Sequence, residues 1–293
     1  MIKIKGNYIF KCTYDKDSLE EMDIIKSSTQ NIENAYLKSD KMADASRILK
    51  KYKNDCVCTL PLCNTVEAQS LGANIVIDEI STPRAKDYKY KTIDELMEIK
   101  NLDLSSSLVN EVLKAVSKLS DEGEDIVLNI EGPITILTSL IDLTKVIKAI
   151  RKEKDKLDDI LEFIKDFIID YGVEGVKSGA KIISYADPTG NMDILGERTY
   201  SKLNSEITLK IINELKDKVG DRALIHVCGR TTSSLLNLGL IEINEIEFCE
   251  DALYGEALLK LPSKGVNLVG QNCIKKTKKN VDSEKIYEVK ILK

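Results

Sequence analysis

One imidazole stands in 293 residues, at His226, and two positions on stands a thiol, Cys228, in the run Leu224-Ile-His226-Val-Cys228-Gly229. The run is apolar and compact, as a strand requires, and alternate residues of a strand project to one side. One ion can therefore meet both side chains. Zinc takes imidazole nitrogen at roughly 2.0–2.1 Å and thiolate sulfur at roughly 2.3 Å in a tetrahedral shell, with an exchangeable position in a catalytic site. Further ligands would come from the next strand ends, closed by Glu245-Ile-Glu247-Phe-Cys249-Glu250-Asp251 and by Val269-Gly270-Gln-Asn272-Cys273. Cys273 lies 47 residues beyond His226, far enough to return through two strand–helix units. The expected ligand set is His226, Cys228, Cys273 and an acidic residue, Glu247 or Glu250. Spacing alone leaves a second reading open, in which the H-x-C pair is a core imidazole and a small thiol packed at a strand end.

Such strand ends must be held by a scaffold, and short apolar runs alternate here with longer charged segments of helical period. Strands are predicted at Tyr8–Cys12, Val57–Leu62, Ile126–Ile130, Lys181–Tyr185, Leu224–Cys228, Glu245–Cys249 and Val266–Gly270, with an eighth at Ile286–Leu292. Amphipathic helices are predicted over Ser105–Leu119, Lys154–Tyr171 and Tyr200–Lys218, Asp15–Lys53 reads as helix and loop, and Ile75–Asp78 as a separate pairing segment. No stretch rich in Pro, Gly or Ser interrupts the alternation, so residues 1–293 read as a single domain. The pattern suits an α/β fold, a (β/α)8 TIM-type barrel with a shortened C-terminal unit, because such barrels commonly take ~250 residues. Barrel enzymes carry their chemistry where strands end.

Composition removes several classes of function. Forty-three Lys and Arg against 48 Asp and Glu leave a net charge of −5, with a pI near 5.3, against the basic footprint of a nucleic-acid binder. Apolar runs such as Ala223–Cys228 are far too short to span a membrane. No secretory signal opens the chain, and the seven cysteines are expected as reduced thiols in a cytoplasmic protein. Cys56, Cys58 and Cys63 read as packing. Neither G-x-G-x-x-G nor a P-loop occurs, which removes the support for kinase, ATPase and nicotinamide readings.

Taken in order, four segments resemble a known family: Leu60-Pro-Leu-Cys63-Asn-Thr65-Val-Glu67-Ala, Glu131-Gly-Pro133-Ile-Thr135, Ala186-Asp187-Pro188-Thr-Gly190 and His226-Val-Cys228-Gly-Arg-Thr-Thr232. Together with Cys273 they resemble the methylcobamide:thiol methyltransferases, of the coenzyme M type, in the uroporphyrinogen decarboxylase-like superfamily of (β/α)8 barrels. The likeness runs from about Cys56 to Cys273. Leu268-Val-Gly-Gln-Asn-Cys273-Ile-Lys-Lys-Thr277 also resembles the last zinc cysteine of cobalamin-independent methionine synthase, whose His, Cys, Glu, Cys set favours Glu250, 22 residues beyond Cys228, over Glu247. The Arg-rich amino-terminal motif of true uroporphyrinogen decarboxylases has no counterpart in Met1–Asp55, which argues against porphyrinogen decarboxylation.

The resemblance implies a zinc-dependent methyltransferase that moves a methyl group between a corrinoid protein and a small thiol. Zinc would deprotonate the thiol, whose pKa is otherwise about 8.5. No corrinoid-binding D-x-H-x-x-G motif is present, the one histidine being assigned already, so cobalamin is expected on a separate partner protein. Asp187, Glu131 and Tyr185, at other strand ends, are candidates to position the thiol or shape the entrance. Each equally suits helix capping or ion pairing. Two other activities stay open: a donor-side demethylase acting on a methoxy or methylamine compound, and a non-catalytic module that binds the corrinoid protein.

Overall fold

The β-branched runs become strands buried on both faces, as parallel strands sandwiched between layers must be. The computed structural model of the chain describes residues 14–29, 31–102, 107–248, 251–281 and 285–292. Its strands are β1 (Cys58–Leu60), β2 (Asn74–Val76), β3 (Arg84–Asp87), β4 (Ile126–Glu131), β5 (Ile182–Ala186), β6 (Leu224–Val227), β7 (Ile241–Ile246), β8 (Leu268–Gly270) and β9 (Ile286–Ile291). β1, β4, β5, β6 and β8 lie side by side and parallel, and β9 and β7 follow in the order β1-β4-β5-β6-β8-β9-β7. β2 and β3 form a separate antiparallel pair, as expected for the segment at Ile75–Asp78.

Register decides which residues share a face. Ser184 lies beside Asn129 on one flank and His226 on the other, and His226 lies beside Val269. The alternate residues Leu128, Ile183, Tyr185, Ile225 and Val227 turn the other way, into a core built with Val112, Val116, Ile160, Ile164, Ile211 and Leu215. Those residues come from the helices Leu108–Asp121, Lys154–Lys177 and Ser205–Val219, the crossovers that return the chain between parallel strands. On the His226 side, Val57, Val127, Ile182 and Leu224 pack instead under the short helix Tyr254–Lys260.

Two expectations are corrected. The strand expected at Glu245–Cys249, next to the His226 strand, is found at Ile241–Ile246, on the sheet edge and separated from β6 by β8 and β9. The expected eighth strand is present as β9, but it runs antiparallel to both of its neighbours. Among the described residues the return from Gly270 to Ile286 carries only the short turn Ile274–Lys276, without the crossover helix that usually joins parallel strands. Among the described residues no ladder joins β7 to β1. The segment Tyr8–Cys12 lies outside the described residues. No helix among them is long and apolar enough to cross a membrane.

Candidate active site

His226 is fully buried, with the Tyr254 ring edge-on at 6.5 Å between centroids. Neither Nδ1 nor Nε2 has a hydrogen-bond partner among the described residues. Burial pushes the imidazole down to about 4, so it is neutral at pH 7 and offers a lone pair. Leaving such a buried polar atom unmet costs about 1–3 kcal/mol. A neutral, unmet imidazole is also the form in which histidine binds a metal.

Cys228 begins the helix Gly229–Asn237 at its N-cap, where the helix dipole favours a thiolate. Its N–H donates to the Tyr185 carbonyl at 2.8 Å. Thr232 fixes the place of this strand end: its hydroxyl lies 3.2 Å from the Val227 carbonyl and 3.1 Å from that of Cys228, and accepts the Gln271 N–H at 3.1 Å. Gln271 holds a left-handed φ of 75° there, a conformation that costs a non-glycine residue energy and is kept by its surroundings. One hydroxyl thus binds the end of β6 to the loop that carries Cys273. Cys273 is half-buried at the start of the turn Ile274–Lys276. Among the described residues, however, no three of His, Cys, Asp and Glu converge to hold a metal. His226 and Cys228 share one strand end, Cys273 is not gathered with them into such a group, Glu247 is exposed, and Glu250 lies outside the described residues.

The other predicted residues have different settings. Asp187 is buried and caps the helix Pro133–Leu140, accepting from the Thr135 N–H at 2.9 Å, the Thr135 hydroxyl at 2.7 Å and Asn204 Nδ2 at 2.8 Å. Desolvation nevertheless raises its pKa above the usual carboxylate value. Tyr185 turns to the helix-packed face, opposite His226, with its hydroxyl 3.4 Å from Thr208 Oγ1. Glu131 ends β4 on the His226 side and lines a cavity of about 150 Å³ with Thr59, Pro61, Cys63, Asn64 and Asn129. Its N–H donates to Glu67 Oε1 at 2.8 Å. Burial, with Glu67 and Asp187 nearby, pushes Glu131 well above the ordinary range, and burial alone carries Glu67 to about 7. Burial likewise raises Cys56 to about 12 and Cys58 and Cys63 to about 11, so these are thiols at neutral pH, as packing residues should be.

Glu67, Thr135, Thr232 and Gln271 were not singled out from the sequence. All four stand inside the segments that carry the family resemblance, but the resemblance gave them no role.

A family model described as uroporphyrinogen decarboxylase (URO-D) matches residues 18–270. Methylcobamide:CoM methyltransferase MtbA of Methanosarcina mazei is 27% identical over 191 residues, which cover 64% of this chain and 56% of that protein. The MtbA of Methanosarcina acetivorans is 26% identical over the same shares, so the chain spans little more than half the length of these relatives. The uroporphyrinogen decarboxylase of Rickettsia bellii is 26% identical over 228 residues, 75% of this chain and 66% of that one. A solved methyltransferase from Methanosarcina mazei superposes with a TM-score of 0.60 at 18% identity, covering 81% of this chain and 68% of its own. The fold class is the TIM-type α/β barrel that the alternating strands and helices predicted.

Proposed function

From the premise that the chain belongs to the uroporphyrinogen decarboxylase family, we propose that it moves a methyl group between a corrinoid held by a separate protein and a small thiol, with zinc as its resident metal. The observation that carries the reading is the buried, unmet imidazole of His226 beside a thiol at a helix N-terminus. The names of relatives such as MtbA, which join methylcobamide to a thiol acceptor, support it.

The donor set fits zinc in its chemistry, a neutral imidazole and thiols, with His226, Cys228, Cys273 and Glu250 as the residues that would hold the ion. Bound zinc would supply the acidity that turns an incoming thiol into thiolate. The chain's own residues do the rest. Burial keeps the imidazole unprotonated, the helix at Gly229 favours the Cys228 thiolate, and Thr232 sets the spacing between the two loops. Asp187 acts as a positioning residue, anchoring the helix that follows Glu131. Residues 1–293 act as a single cytoplasmic domain in this account.

Incubation with methylcobalamin and a panel of small thiols tests it, and formation of the methyl thioether is the expected result. Methyl-donor turnover without thiol use would move the reaction to the donor side. An intact metal site without any transfer would leave a binding module, and release of CO2 from a porphyrinogen would replace the reading outright.

A further inference from the structure

The helix Leu143–Lys152 buries Val146 and Ala149 against the body of the fold and turns Ile147, Lys148, Arg151 and Lys152 to solvent. Lys148 stands three and four residues from Arg151 and Lys152, so the three share one face. Beside them runs the tail of β3, where Lys145 Nζ donates to the Lys91 carbonyl and the Tyr90 N–H donates to the Leu140 carbonyl at 3.1 Å. Residues 86–91 and 142–152 together hold seven Lys and Arg against two Asp, in a chain whose net charge is −5. Both acids have local tasks. Asp142 caps its helix by accepting the Thr144 N–H at 2.8 Å, and Asp87 accepts from Asn74 Nδ2 at 2.7 Å. Lys154 and Lys156, next along the chain, pair with Asp158 and Asp94, but none of the seven cations is held in a salt bridge among the described residues.

The long helix Lys154–Lys177 shows at which end of the fold this patch lies. A Cβ at Gly175 would strike Leu128 and one at Gly172 would touch Ile130, so the helix runs antiparallel to β4. At 1.5 Å per residue, the part before Gly172 reaches roughly 25 Å past the level of Ile130. The helix Leu143–Lys152, joined to its start, therefore stands beyond the ends of β4, β5 and β6, where Cys228 follows Val227. A partner seated on the patch is brought to that end.

We propose, on the functional reading above, that this patch is the docking surface for an acidic face of the corrinoid-carrying protein. Cations without partners attract carboxylates and steer an approaching acidic surface, and Ile147, 39% exposed, gives the contact an apolar centre. A lipid surface fits less well. A helix lying in a membrane inserts its apolar face, whereas Val146 and Ala149 are already buried in the fold.

Methyl transfer to a thiol from the panel is followed with two donors, free methylcobalamin and a purified methyl-corrinoid protein, in wild type and in Lys148→Glu/Arg151→Glu. Free methylcobalamin needs no docking, so its rate should be the same in both, which also shows that the variant folds. With the protein donor, KM should rise about tenfold at low salt, because two attractions become repulsions. The wild-type KM should also climb more steeply with ionic strength than that of the variant. Lys148→Gln/Arg151→Gln should fall between the two, and polyglutamate should compete with the protein donor but not with free methylcobalamin. An equal KM for the protein donor in wild type and both variants would overturn the docking surface while leaving methyl transfer standing. Binding to phosphatidylserine–phosphatidylcholine vesicles that is lost in the glutamate variant, with that KM unchanged, would assign the patch to a membrane instead. No transfer from free methylcobalamin in wild type would remove the reaction itself, and the partner with it.

Discussion

Replacing Glu67 by glutamine should change how stability depends on pH. The folded chain holds the Glu67 proton up to about 7, against 4.5 for the free side chain, because burial penalises the charged form. Below the unfolded value both states are protonated and the contribution to stability is fully present. As pH rises, the unfolded chain gives up its proton while the folded one keeps it, and stability falls by ~1.4 kcal/mol per pH unit until Glu67 itself ionises. Over the window from 4.5 to about 7 the loss comes to about 3 kcal/mol, and since Glu67 is fully buried, solvent screening does not reduce it. Glutamine keeps an oxygen to accept the Glu131 N–H and has nothing to titrate. Urea unfolding of wild type and Glu67→Gln at intervals from about pH 4 to about pH 8 measures the difference. The wild-type curve should decline relative to the variant by about 3 kcal/mol across that range. Curves that run parallel would refute the claim that folding withholds this carboxyl from water.

Two other perturbations follow from buried polar contacts. Thr135→Val keeps the shape of the side chain but removes the hydroxyl that donates to Asp187 at 2.7 Å, and should cost about 1–3 kcal/mol in urea unfolding, a charged acceptor being left short of a donor. His226→Leu in chelator-treated protein should raise stability by about 1–2 kcal/mol, because two unmet nitrogens give way to carbon of similar bulk. A metal-free variant no more stable than wild type would mean that the imidazole nitrogens are satisfied.

The parallel strands were legible because their residues carry the signal themselves. Ile126–Glu131, Ile182–Ala186 and Leu224–Val227 are short apolar runs bounded by charged helices, and each lies within about a residue of its expected place. The edge was not legible. Alternation in Ile286–Ile291 announces a strand but neither its direction nor its partners, and its antiparallel pairing with both β8 and β7 joins segments distant in sequence. The site divides in the same way. The strand pattern placed His226 within β6, and Cys228 falls one residue past its end, at a helix N-cap, but the side taken by Tyr185 depends on its register with β6, which pairs Ser184 with His226 and sends Tyr185 toward the helices. The Glu67–Glu131 pair joins residues 64 apart in sequence, and no local pattern connects them.

The central claim is that the imidazole and its neighbouring thiol grip a zinc ion, and elemental analysis tests it most directly. Purified wild-type protein should hold about one zinc per chain, and Cys228→Ala, with a helical circular dichroism spectrum like that of wild type, should lose most of it. Full retention of the metal in Cys228→Ala, or wild-type protein that takes up no zinc when it is supplied, would contradict the account.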